Sequence, residues 1–217
     1  MKTAIYTAII GDYDTFIEPR FIDKEYDYIL FTDQDNIVSP SHRIIKIKDE
    51  SLDSTRLARK IKILPYLFLP DYDYTIWHDA NIVQQKSIKE LVDSVKSDWF
   101  IMKHPMNTCV YQEAELCKRL GKDNSEIIDA QMDKYKDEGY PANNGMVASG
   151  IIFRKNTKKV NRLGRNWFNE VKEHSKRDQL SFNYALRKID ISIEYTEYNT
   201  ILQNEFKIEK LHKNYGK

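Results

Sequence analysis

Apolar and polar positions alternate along this chain in two rhythms. Runs rich in β-branched and aromatic residues fall at positions 3–10, 28–32, 43–47, 72–78, 99–103, 146–153 and 191–195, and they predict strands. Between several of them the apolar period lengthens to that of a helix, predicting helices over 53–67, 87–95, 110–120, 125–136, 158–174 and 178–187. The first of these opens on Asp53 or Ser54 as a cap and carries Leu57, Ile61 and Leu64 on one face; the second has Ser87 as a cap before Ile88, Leu91 and Val95. Strands alternating with helices predict an α/β fold with a mainly parallel central sheet flanked by helices. No repeat, low-complexity tract or Pro/Gly-rich linker interrupts residues 1–217, so a single domain is expected, its third quarter supplying a lid or side wall.

Composition narrows the function classes. The 34 Lys and Arg residues face 33 Asp and Glu, a balance that speaks against a dedicated nucleic-acid binder, which should carry a basic excess. Aromatic residues make up 12% of the chain, which separates it from disordered sequences. No stretch approaches the roughly 18 apolar residues of a membrane span, so membrane contact is expected to be peripheral at most. The opening apolar run ends at Gly11-Asp12 and reads as a strand, not a signal peptide. Cys109 and Cys117 lie in one predicted helix at a spacing that suits neither zinc nor a disulfide framework, and a reducing cytoplasm is the expected location.

Candidate chemistry gathers at strand exits. In Ile76-Trp77-His78-Asp79-Ala80-Asn81 a carboxylate ends an apolar strand, where it needs a metal, a cation or a hydroxyl to meet it. Ligands bind at that edge of open α/β sheets. Gly11 permits a tight turn and close approach of a ligand, with Tyr13 beyond it as an aromatic for a nucleobase; a plain polar loop fits the same residues. Asp33 can accept from a base or ribose, or serve as a turn residue in Asp33-Gln34-Asp35-Asn36. Arg56, Arg59, Lys60 and Lys62 crowd two helical turns, and Arg56, Arg59 and Lys60 can share a face. Such a face suits a diphosphate, although charge runs on helices are by default solvated.

His104-Pro105 follows another strand, and Glu113 lies near a helix start. Asn144-Gly145 opens a strand of small residues that lets a ligand, or a helix, lie close to the backbone. Asp178, in Arg177-Asp178-Gln179, is a candidate first-turn acid. His212 and Gly216 fall in a tail, a region where chains often fray.

The order of these segments resembles GT-A glycosyltransferases, in particular the glycosyltransferase-like group designated domain of unknown function 616. The resemblance rests on Lys62-x-Leu64-Pro65, Tyr74-x-Ile76-Trp77-x-Asp79, His104-Pro105, Cys109-x-Tyr111-x-Glu113 and Arg177-Asp178-Gln179-x-Ser181-Phe182. A looser similarity links the chain to the glycogenin-like (family eight) retaining transferases through their Asp-x-Asp, Asn-x-Gly and Asp-Gln landmarks. It implies a GT-A domain with a Rossmann-like nucleotide-binding half that moves a hexose from a nucleotide-sugar donor, a UDP-sugar, to a glycan acceptor, with surface-polysaccharide assembly as a setting.

Residue by residue, the resemblance implies a donor site of Gly11, Tyr13, Asp33, Arg56, Arg59, Lys62 and Asp79. Tyr13 would stack on the base, and the cations would neutralise the diphosphate or hold the metal-site acids. His104, Glu113, Asn144 and Gly145 fall on the acceptor or sugar side. Asp79, Asn81 and His212 would hold a divalent cation, Mn2+ or Mg2+. Asn81 stands where the family has a second carboxylate, and His212 is spaced one residue longer from Gly216 than the family pattern. Asp178 would be the base of an inverting enzyme; in a retaining one, the course the glycogenin-like similarity favours, Asp178 or Gln179 would stabilise the reacting carbon. A nucleotidyltransferase is the first alternative, although the chain lacks that class's Gly-rich loop after the first strand. A non-catalytic nucleotide- or carbohydrate-binding module is the second.

Overall fold

The structure, a computed structural model, describes residues 1–12 and 14–209. In chain order the strands are β1 (Thr3–Ile9), β2 (Asp27–Thr32), β3 (Arg43–Lys46), β4 (Tyr74–His78), β5 (Ile82–Gln84), β6 (Trp99–Lys103), β7 (Val147–Lys155), β8 (Ile193–Thr196) and β9 (Phe206–Ile208). The helices are α1 (Ser54–Ile63), α2 (Pro65–Phe68), α3 (Lys89–Ser94), α4 (Val110–Arg119), α5 (Ser125–Asp137), α6 (Lys158–Glu173), α7 (Phe182–Leu186) and α8 (Tyr198–Leu202), with a 3-10 turn at Asp178–Leu180 before α7.

Seven strands form the central sheet in the order β3-β2-β1-β4-β7-β6-β8. Only β7 runs against its neighbours; the remaining pairings are parallel. The chain thus adopts the expected α/β arrangement, a mostly parallel sheet flanked by helices. Strands covered on both faces read as near-continuous apolar runs, and β1 and β4 are buried from end to end with only Thr3, Thr7, Thr75 and His78 as polar members. On one face Tyr6, Trp77, Trp99 and Ile152 pack with Leu57 and Ile61 of α1 and Leu163 and Trp167 of α6. On the other, Ile5, Ile76, Phe100 and Phe153 pack with Val92 of α3 and Ile201 of α8.

Several boundaries depart from the sequence reading. The helix expected over 53–67 breaks at Leu64-Pro65 into α1 and α2, because Pro65 has no N–H to continue the ladder. Ile88, not Ser87, takes the cap position of α3, but the Ser87 hydroxyl, which donates to Asp23, still accepts the Lys89 N–H of the first turn at 3.2 Å. The helix expected over 178–187 divides into the 3-10 turn and α7. The two-stranded β5–β9 pair was not expected; each strand has three residues, and they meet only through the fold. No described helix is long and apolar enough to cross a membrane.

The packing of α1 on α6 depends on Gly164. A Cβ there would lie 2.9 Å from the Ile63 carbonyl oxygen. Gly→Ala in a helix ordinarily stabilises by about 1 kcal/mol. Here the methyl must push two backbones apart, so Gly164→Ala should instead cost about 1–3 kcal/mol in urea denaturation. A stabilised variant would refute this account of the interface.

Candidate functional site

The chain lays β2 and β3 on one side of β1, then returns to place β4 on the other. Where strand order reverses in this way, the carboxyl ends of the parallel strands leave a crevice. A cavity of about 330 Å³ opens there, lined by Ala8, Ile9 and Ile10 from the end of β1, Trp77, Asp79 and Ala80 from the end of β4, and Ser54, Thr55, Ala58 and Arg59 from α1. A second cavity of about 220 Å³ adjoins it, lined by Asn81, Met102, Ser149, Gly150, Asp178 and Gln179 among others. Arg59, Asp79, Lys122 and Arg177 line both and form the waist between them.

A buried ion network lies behind the waist. The Lys62 ammonium, on a side chain only 1% exposed, sits 2.8 Å from Asp178 Oδ2 and 3.2 Å from Asp79 Oδ1. It also donates to Ser149 Oγ at 3.0 Å, and that hydroxyl donates to Asp178 Oδ2 at 2.8 Å. Arg59 Nε lies 3.3 Å from Asp178 Oδ1. Trp77 Nε1 donates to Asp79 Oδ1 at 2.8 Å, and the Asp79 N–H donates to the Gly150 carbonyl at 2.8 Å. Burial alone would raise the Asp178 carboxyl. The charges of Arg59 and Lys62, the Lys62 hydrogen bond and the charge of Arg177 outweigh it, holding Asp178 well below the usual carboxylate range.

The local sequence explains how Lys62 is fixed. The last carbonyls of a helix lack helical partners, and Pro65 ends α1 just after Lys62. The Lys62 carbonyl instead accepts from the Tyr6 hydroxyl at 2.7 Å and from the buried Arg154 guanidinium. Both donors come from the sheet beneath, so the end of α1 is tied to β1 and β7.

The expected site residues divide into two groups. Arg59, Lys62, Asp79, Asn81, Asp178 and Gln179 come together at the paired cavities. Arg56 does not. It pairs with Asp53 and donates to the carbonyls of Val171 and His174, bracing the C-terminal end of α6. Lys60 turns to Asp49 at 2.7 Å. Asp33 accepts the Gly11 N–H with both oxygens, at 3.0 and 3.1 Å, and so holds the loop after β1 without lining either cavity. Gly11 takes φ +64°, the left-handed turn that glycine allows.

His104 and Glu113 also lie outside the cavity linings. His104 Nδ1 accepts the Asn107 N–H at 2.9 Å, and Glu113 accepts from the Asn107 amide, so the pair shapes the 104–107 loop. Burial pushes the His104 imidazole below its ordinary value, against the pull of Glu113. Asn144 donates to Tyr140 and receives Asn183 on its carbonyl, and Gly145 takes φ +77° in the same turn. Tyr13 and His212 lie outside the described residues.

The donor set for a divalent cation is thin. Asp79 Oδ1 is already shared by Trp77 and Lys62, Asn81 is neutral, and no group of three His, Cys, Asp or Glu among the described residues is arranged to hold a metal. These residues do not by themselves make a site that fits Mn2+ or Mg2+. Lys122 and Lys176, which line the cavity from separate loops, are not among the residues that the sequence marks. Neither lies at a strand exit, so no local pattern marked them.

The family model of the TOD1/MUCI70 glycosyltransferase-like domain matches residues 1–215, and the chain belongs to that family. The probable hexosyltransferase MUCI70 of Arabidopsis thaliana is 30% identical to it over 156 residues, covering 66% of this chain and 27% of that protein. The chain therefore spans about a quarter of the length of this curated relative.

The network makes a stability prediction with a definite sign. The folded Asp178 carboxyl lies below its unfolded value of 3.8. Its contribution is therefore complete at neutral pH and is lost as pH falls below about 4 toward the folded value. Asp178→Asn strands two cations and should cost roughly 3–5 kcal/mol at pH 7. Urea denaturation should find the gap to wild type narrowing at pH 3. Equal stability at pH 7 would contradict the network.

Proposed function

We propose that this domain transfers a hexose from a nucleoside-diphosphate sugar, a UDP-sugar in the first instance, to a glycan hydroxyl, on a GT-A-type fold whose β1–β4 half binds the nucleotide. The observation that carries this reading is the two-chambered cavity at the strand-order switch, with Asp79 and three cations at its waist. The larger chamber, between the end of β1 and the start of α1, takes the nucleoside. The diphosphate crosses the waist, and the hexose occupies the smaller chamber beside Asn81, Ser149 and Gln179. Membership of a glycosyltransferase-like family supports the same reading.

In the transfer, the bond from the anomeric carbon to the phosphate oxygen breaks and its electron pair leaves with the nucleoside diphosphate. Pre-oriented cations at the waist stabilise the negative charge that develops there. The acceptor hydroxyl oxygen bonds to the anomeric carbon. Asp178 is a poor proton acceptor because its oxygens are engaged by Arg59, Lys62 and Ser149 and its carboxyl is held far down. That favours the retaining course, with the acceptor proton passing to the departing phosphate oxygen. Asp178 and Gln179 then face the positive charge at the anomeric carbon.

The test is a panel of UDP- and GDP-hexoses, read by release of nucleoside diphosphate with and without an acceptor glycan. At least one donor should turn over, and Gln179→Ala should slow it by about 10²-fold, the scale of losing one transition-state contact. Nucleotide binding without turnover of any donor would make the chain a binding module instead.

A further inference from the structure

The larger cavity is lined by more cations than carboxylates. Lys62 and Arg59 pair with Asp79 and Asp178. Arg59, Lys122, Lys176 and Arg177 line the larger cavity against Asp14 and Asp79, a net excess of two positive charges. A nucleoside-diphosphate sugar carries two negative charges.

The backbones bearing these cations are fixed. The α4 helix ends in a Schellman turn: Gly121 at φ +57° donates to the Lys118 carbonyl, and the Lys122 N–H donates to the Cys117 carbonyl at 2.9 Å. Lys122 therefore leaves α4 at a set position. The next residue, Asp123, reaches across to the other cation loop. Its Oδ2 accepts from Ser175 Oγ and from the Lys176 N–H, both at 2.8 Å. Ser175 is fully buried beneath this staple, and Arg177 donates its N–H to Ser175 Oγ at 3.2 Å. Two loops distant in sequence are thus joined by one carboxylate, with a cation on each held toward the same cavity. Lys176 also lies within electrostatic reach of Asp53, which is itself paired with Arg56 at 2.7 Å.

We propose that Arg59, Lys122, Lys176 and Arg177 form a clamp for the donor diphosphate, and that nucleoside-diphosphate binding by this chain does not require a divalent cation. The inference rests on the nucleotide-sugar reading above and gives the diphosphate a protein-borne counter-charge. Arginine supplies planar two-pronged contacts to phosphate oxygens, and lysine supplies point charge. Asp79 then serves to hold Lys62 and the waist, and Asn81 needs no second negative charge beside it.

The experiment is titration calorimetry of UDP and GDP against the whole chain, in EDTA and in Mn2+, at two salt concentrations. The variants are Lys122→Gln and Lys176→Gln, with thermal denaturation as the check on folding. The clamp predicts one nucleotide binding in EDTA within a few-fold of its affinity in Mn2+, weakening with salt. Each substitution should weaken that binding by about tenfold in EDTA while leaving the melting temperature in place. Binding that appears only with Mn2+ and ignores both substitutions would overturn the clamp while leaving the nucleotide-sugar reading intact. If neither nucleotide binds with or without metal, that reading falls as well.

Discussion

One buried ammonium organises this protein. Lys62 stands between Asp79 at the exit of β4 and Asp178 in the 3-10 turn, with Ser149 of β7 completing its contacts. Stripping a lysine and an aspartate of water is expensive, and attraction repays it only when geometry is good and the remaining polar atoms are satisfied. Separate elements supply the partners here: Arg59 from α1 as an ion pair and Ser149 from β7 as a hydrogen bond on Asp178, Trp77 on Asp79, and Trp167 of α6 on the Asp178 carbonyl. Displacing any one element would leave a buried charge with less than its share of partners. The network is therefore better understood as a device for position than as a source of net stability.

Position is what the crevice requires. The sheet creates an opening wherever strand order switches, but an opening lined only by strand ends and apolar side chains has no preference for an anion. Lys62, Asp79 and Asp178 together carry one net negative charge, which Arg59 neutralises, so further cations sit at the rim without an unbalanced charge beneath them. In a partly dry cavity their field is felt more strongly than in water. The tie from Tyr6 and Arg154 to the Lys62 carbonyl passes the same constraint down into the sheet. Fold and site thus share residues, and the tight passage of Gly164 past Ile63 belongs to both.

Much of this was legible in sequence. Continuous apolar runs marked the long strands because β1 and β4 are covered on both faces. The exits at Gly11 and Asp79 stood out because glycine and a carboxylate interrupt such runs. The cationic helix was harder. Helical spacing puts Arg56, Arg59 and Lys60 within reach of one face, yet Arg56 caps α6, Lys60 meets Asp49, and Arg59 turns inward with Lys62. Which cation is buried depends on where Asp178 arrives, more than a hundred residues later, and no local pattern carries that. His104, Glu113 and Asn144 looked equally chemical, but their polar atoms are consumed by the loops that hold them. Lys122 and Lys176 were missed for the converse reason: their meaning comes from Asp123 joining two loops.

Asn81 is the residue whose meaning changes most. Beside an aspartate at a strand exit, an amide looks like a damaged metal motif, the loss of one of two carboxylates. The geometry makes a different account available. Asp79 already shares an oxygen with Trp77 and Lys62, and Asn81 faces the cavity that also holds Asp178. A carboxylate at position 81 would add a third negative charge against Lys62 and Arg59, and would draw on the same cations that the proposed clamp offers to a diphosphate. A neutral side chain keeps hydrogen-bonding capacity for a sugar hydroxyl while leaving those cations to the ligand. On this reasoning the amide and the lysine-rich loops are parts of one electrostatic solution, in which the counter-charge for the leaving group belongs to the protein.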